Sequence, residues 1–158
     1  MHPDRSNNID HHNSRSAAST SNDSNESILL VDDEYDIISL ISRSLQKNGK
    51  KVCAFTDATE ALEHFNSNCK DGAHHNIVIS DIRMPSMNGY EFVKQIKKIN
   101  PQVKVIFMTA FKIEDKEFHN ALPDIKIDGF LEKPFSMRQL DDLTNKMSAT
   151  GVLVRKKD

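Results

Sequence analysis

Ser27–Leu45 reads SILLVDDEYDIISLISRSL. Its opening, Ile28 to Val31, is an unbroken apolar run with no polar residue to mark a solvent-facing side. A run of that length and kind suits a short strand buried on both faces. Three consecutive carboxylates follow, Asp32, Asp33 and Glu34, which repel one another and resist desolvation. The period then changes. Ile38, Ile41 and Leu45 recur at helical spacing and mark one inward face, and Gly49 supplies a residue suited to ending a helix. Strand, acidic turn and helix make one β–α unit, and the rest of the chain repeats that unit.

Lys51–Phe55 reads as the second strand. Asp57 and Glu60 form a capping-box pattern ahead of Ala58, Ala61, Leu62 and Phe65 at helical spacing. Beyond a loop around Gly72, Asn76–Ser80 forms a third strand. A helix opening near Asn88-Gly89 buries Phe92, Val93, Ile96 and Ile99 and stops before Pro101. Val103–Met108 is the fourth strand. Ile113, Phe118, Ala121 and Leu122 predict a short, imperfect helix within residues 111–122, cut off by Pro123. Lys126–Leu131 is the fifth strand, and Ser136 with Gln139 caps a last helix that turns Leu140, Leu143 and Met147 inward.

Five continuous apolar strands alternating with five helices predict an α/β domain. Its parallel sheet is covered on both faces, a doubly wound three-layer sandwich. The chain has 158 residues, 37% of them hydrophobic, which allows one domain with a proper core. Residues 1–26 differ in kind: six Ser and five Asn accompany only four apolar residues, so the segment is expected to be a disordered polar tail. His2, His11 and His12 in it are read as solvated. The domain is expected at 27–148, with a C-terminal tail at 149–158.

A formal net charge of −2 gives no electrostatic reason to expect nucleic acid, and no apolar run is long enough to span a membrane. With no signal-like core at the N-terminus, a cytoplasmic protein is expected. Cys53 and Cys69 lack metal-ligand spacing and are read as reduced structural thiols.

In a sheet of this kind the site lies outside the carboxyl ends of the strands. Four of the five strands place a polar group there: Asp32-Asp33, Asp81, Thr109 and Lys133-Pro134. Three carboxylates concentrate negative charge, and all-oxygen ligation suits a hard ion such as Mg²⁺. An ammonium and a hydroxyl complete a set able to stabilise a phosphoryl group in transfer, with one carboxylate as nucleophile. A flavin phosphate is excluded, because Asp32-Asp33-Glu34 would repel it where its cradle must lie.

Four segments carry a resemblance: ILLVDDE (28–34), IVISDIRMPSMNGYEF (77–92), VIFMTA (105–110) and GFLEKPF (129–135). In this order, each at a strand end, they resemble the receiver domain of two-component response regulators over residues 27–148. The resemblance implies a flavodoxin-like fold with strand order 2-1-3-4-5. It implies Asp81 as acceptor of a phosphoryl group from a sensor histidine kinase or phosphotransfer protein. Asp33, Asp32 (mainly through water), Asp81 and the backbone carbonyl of Arg83 would hold Mg²⁺. Lys133, aimed by a cis bond to Pro134, would pair with Asp81 and then with the phosphoryl oxygens. Thr109 and Phe130 would act as the switch pair. The resemblance implies self-catalysed phosphoryl acceptance and loss rather than a metabolic enzyme. The short C-terminal end predicts a stand-alone receiver signalling by protein–protein contact, with dimerisation on phosphorylation left open.

Two other readings exist. A pseudo-receiver that binds partners without phosphorylation is disfavoured by the intact Asp32/Asp33/Asp81/Thr109/Lys133 set. An aspartyl-phosphate hydrolase would need a second Asp two residues past the nucleophile, where this chain has Arg83. Arg83 and Phe111, each two residues past Asp81 or Thr109, are expected to slow attack by water on the acyl phosphate. The face formed by residues 111–128 lacks the long fourth helix of the family.

Overall fold

The computed structural model describes residues 26–70, 74–112 and 115–150. The elements follow in strict alternation: β1 (Ser27–Val31), α1 (Tyr35–Lys47), β2 (Lys51–Phe55), α2 (Ala58–Lys70) and β3 (Ile77–Asp81). Then come α3 (Gly89–Ile99), β4 (Lys104–Thr109), α4 (Asp115–Ala121), β5 (Gly129–Glu132) and α5 (Met137–Thr150). The strands form one parallel sheet in the order β2-β1-β3-β4-β5. The expected tail (but for Glu26), its three histidines, Gly72, Ile113 and residues 151–158 lie outside the described residues.

Successive strand residues point to opposite faces, and here both faces are covered. Leu29 and Val31 face α2 and α3, joining Phe65, Phe92, Val93 and Ile96 in one buried cluster. Ile28 and Leu30 face the other way, against Ile38, Ile41 and Leu45 of α1 and Leu140 and Met147 of α5. That two-sided burial in β1, β3 and β4 is why these strands carry no polar alternation, while the edge strands β2 and β5 are partly exposed.

The helix starts follow the capping chemistry of the sequence. Asp57 Oδ1 accepts from the Glu60 amide at 3.0 Å, and Asn88 Oδ1 from the Glu91 amide at 2.9 Å. Ser136 and Gln139 cap reciprocally, at 3.1 and 2.9 Å. Gly49, at φ +82°, takes the left-handed position after α1.

Three strand boundaries differ from expectation by one to three residues. β3 starts one residue later and runs into Asp81, with the side chain of Asn76 accepting from the Ser27 amide at 3.0 Å just before it. Val103 is still in the turn after α3, donating to the Asn100 carbonyl, and β4 runs on to Thr109. Asp128 accepts from the Val105 amide through its carboxylate at 2.9 Å, which shortens β5 to four residues. Ile125 and Ile127 pack on the core without joining the ladder.

Candidate functional site at the carboxyl edge

The parallel register brings the ends of β1, β3, β4 and β5 side by side, with Asp81 opposite Met108 and Thr109 opposite Glu132. Asp32 follows β1 and is fully buried. Its Oδ1 accepts from the Glu34 amide at 2.9 Å, and its Oδ2 receives the Lys133 ammonium at 2.7 Å. Asp81 ends β3 and is 8% exposed. Its Oδ1 accepts from the Ile82 amide at 2.9 Å, and its Oδ2 lies 3.6 Å from Lys133 Nζ. Asp33, by contrast, is exposed. One oxygen from each of Asp32, Asp33 and Asp81 lies within 4.8 Å of the others.

One ammonium therefore serves two buried carboxylates and sits closer to Asp32 than to Asp81. The electrostatics follow. Burial, and then the charge of Asp32, push the Asp81 carboxyl up to about 6, against the opposing pull of Lys133. Burial alone would lower Lys133, but its hydrogen bond to Asp32 and the charges of Asp32 and Asp81 hold it above the ordinary lysine value. The Lys133-Pro134 peptide is cis.

The backbone beyond Asp81 is pinned. The Ile82 amide donates to the Met108 carbonyl, and the Ile82 carbonyl accepts from the Gly89 amide at 2.7 Å. Between them, the Met87 amide donates to the Pro85 carbonyl across Ser86, whose φ of +70° makes a tight turn rarely adopted outside glycine. Gly89 is essential to this closure. A β-carbon there would overlap the Asp81 carbonyl oxygen and lie 2.8 Å from Ile82 Cα. The segment Met84-Pro85-Ser86-Met87-Asn88-Gly89 within the quoted 77–92 stretch carries this glycine, whose role shows only in the folded loop.

Thr109 is buried, and its hydroxyl is engaged with the Phe111 backbone, donating to the carbonyl and accepting from the amide, both at 3.0 Å. Phe130 on β5 is 44% exposed, packed edge-on against Phe118 at 5.4 Å. The Arg83 guanidinium carbon lies 4.2 Å from the centre of the Phe111 ring. The two residues singled out in sequence as flanking the site thus touch each other above it.

A family model described as response regulator receiver domain matches residues 28–145. The chain belongs to the response regulator receiver family. The response regulator SaeR of Staphylococcus aureus is 33% identical over 113 residues, 72% of this chain and 46% of that protein. The sensor kinase CckA of Brucella abortus is 36% identical over 120 residues, 76% of this chain but 12% of that protein. The chain thus spans about half or less of the curated relatives it matches. A receiver domain from Clostridium thermocellum, 29% identical, aligns over 82% of this chain and 98% of its own with a TM-score of 0.69. The response regulator TrrA of Thermotoga maritima, solved in complex with Mg²⁺ and a beryllium fluoride, is 28% identical; it covers 77% of this chain and 98% of its own at a TM-score of 0.64. This receiver has the five-stranded sheet expected from the resemblance, in the order 2-1-3-4-5.

The acidic set fits the divalent ion typical of receivers. Its donors are all carboxylate oxygens, gathered within 4.8 Å, and its negative charge is only partly offset by Lys133.

Proposed function

We propose that this receiver accepts a phosphoryl group on Asp81 from the phosphohistidine of a sensor histidine kinase or phosphotransfer protein, and signals by protein–protein contact. The observation that carries the reading is the shared ammonium: Lys133 reaches both Asp32 and Asp81 at the one sheet edge where three carboxylates converge.

In the step proposed, an Asp81 carboxylate oxygen attacks phosphorus, the phosphorus–nitrogen bond of the donor breaks, and the imidazole departs. Asp32, Asp33, Asp81 and the Arg83 carbonyl would hold Mg²⁺, which when bound supplies charge neutralisation for the transferring group. Lys133 needs little movement to follow Asp81 into contact with a phosphoryl oxygen. Thr109 has a hydroxyl to offer once it releases the Phe111 backbone, and Phe130 stands outward as the aromatic of the switch pair. The Arg83–Phe111 pair is proposed to cover the acyl phosphate against water. The domain at 27–148 acts as a cytoplasmic switch in this reading, and the chemistry is confined to acquiring and losing its own phosphate.

The test is incubation with Mg²⁺ and a small phosphodonor such as acetyl phosphate. Wild type should acquire an acid-stable, base-labile phosphate that is absent without Mg²⁺ and absent in Asp81→Asn. Wild type that stays unlabelled would point to a partner-binding pseudo-receiver, and equal labelling of Asp81→Asn would remove Asp81 from the mechanism.

A further inference from the structure

A second cluster of ligand-bearing side chains lies between β2 and α2, with the length of β3 separating it from Asp81. Cys53 comes from the middle of β2, His64 from α2, and His75 from the segment leading into β3. One imidazole nitrogen from each histidine and Cys53 Sγ lie within 4.8 Å of one another. The two Nε2 atoms face each other at 3.0 Å. The phosphorylation chemistry uses none of these residues.

We propose that Cys53, His64 and His75 form a binding site for a borderline-soft transition ion of the zinc(II) type. Three separate elements converge their ligand atoms, which an ordinary packed histidine does not need. Zn–S bonds near 2.3 Å and Zn–N bonds near 2.0–2.1 Å set tetrahedral ligand separations of roughly 3.3–3.6 Å. The facing nitrogens need to part by only a few tenths of an ångström. The thiol closes the remaining gap by side-chain rotation of Cys53 and His64, both of which are only partly buried. Their exposure also leaves the ion a way in.

The surroundings are those of a metal-bound histidine. Ser27 Oγ lies 2.8 Å from His75 Nδ1, so with that nitrogen protonated and donating to the hydroxyl, Nε2 presents a lone pair to the cluster. His75 itself is 3% exposed and stacked on Phe65, which holds its ring in place. Asn68 Nδ2 lies 2.9 Å from His64 Nε2 and 3.4 Å from His75 Nε2. Turned over, the same amide offers its oxygen as a fourth ligand; a water does so otherwise. On binding, the thiol proton passes to solvent and the thiolate takes its place on the ion. One thiolate and two imidazoles select a zinc-like ion over Mg²⁺, so the two sites discriminate by ligand chemistry.

The experiment uses the reduced full-length chain with Zn(II), competed against a chromophoric chelator, and Co(II) as a spectroscopic probe. One equivalent of Zn(II) should be retained, and Co(II) should give a thiolate-to-metal charge-transfer band. Cys53→Ser and His64→Gln should each weaken Zn(II) retention by roughly tenfold or more, and Ser27→Ala by about tenfold. Cys69→Ser, a variant with His2, His11 and His12 replaced by Gln, and Asp33→Asn should retain the ion. His64 is partly exposed, so His64→Gln keeps its metal-free unfolding temperature and isolates ligation from folding. Absence of retention by wild type overturns the proposal. So does retention that survives both Cys53→Ser and His64→Gln, or that is lost in Asp33→Asn.

Discussion

Asp81 occupies a position that folding alone would not choose for a carboxylate. Burial and the neighbouring charge of Asp32 raise its pKa to about 6, so the folded chain holds this proton more tightly than the unfolded chain does. Between the ordinary value of 3.8 and about 6, the folded state binds more protons, and stability falls as pH rises through that window. The neutral isostere escapes that cost. In the presence of a chelator, Asp81→Asn is expected to stabilise the protein by about 3 kcal/mol at pH 8, with most of the gain lost by pH 4. Thermal unfolding at the two pH values checks this; an equal effect at both would assign the change to packing rather than charge. The residues at this edge were legible because each charge stands within two residues of the end of an apolar run. That Lys133 is nearer Asp32 than Asp81 was not legible, because it depends on side-chain reach across the top of the sheet.

At the scale of elements, the start of α3 and the end of β3 are locked through a glycine. Gly89→Ala forces a methyl group against the Asp81 carbonyl and Ile82 Cα, so either α3 or the acceptor must shift. A loss of about 2 kcal/mol in stability is expected, with slower phosphoryl acceptance in the fraction that folds. Chemical denaturation and labelling rates measure the two effects. The loops after β3 and β4 meet through Arg83 and Phe111. Removing the pair's contact in Arg83→Asn or Phe111→Glu should shorten the acyl-phosphate half-life about two- to fivefold, from the size of an exposed cation–π contact. Unchanged half-lives would discard the covering role. Helix caps at Asp57, Asn88 and Ser136 could be read from the chain because they are local hydrogen-bonding patterns. The late start of β5 could not, since Asp128 reaches the Val105 amide across 23 positions. Cys53, His64 and His75 escaped for the same reason: at intervals of eleven residues they match no local ligand spacing, and only the β2–α2–β3 fold gathers them.

For the whole molecule, the two ends of the sheet are stabilised differently. The carboxyl edge holds a surplus of negative charge, whereas the amino edge is closed by a matched pair. Lys50 Nζ lies 2.6 Å from Glu26 Oε2, both side chains nearly excluded from solvent, and Ser148 of α5 donates to the other Glu26 oxygen. Lys50→Met leaves the Glu26 carboxylate buried without its cation and is expected to cost about 3 kcal/mol. A lowered urea midpoint would show it, and an unchanged one would mean that the pair contributes nothing net. Glu26, the last residue of the stretch read as a polar tail, is therefore held by the fold. Composition could not reveal this, because its partners lie 24 and 122 positions away.

The contact between Glu26 and Ser148 also joins the beginning of β1 to the close of α5, on the side of the sheet away from Asp81. A fold whose entrance and exit share one doorway can be carried inside longer polypeptides, or permuted by linking that doorway shut, without disturbing the chemistry at the opposite rim. The same sheet can thus serve as a portable cassette, which accords with relatives in which the matching region is 46% of one protein and 12% of another.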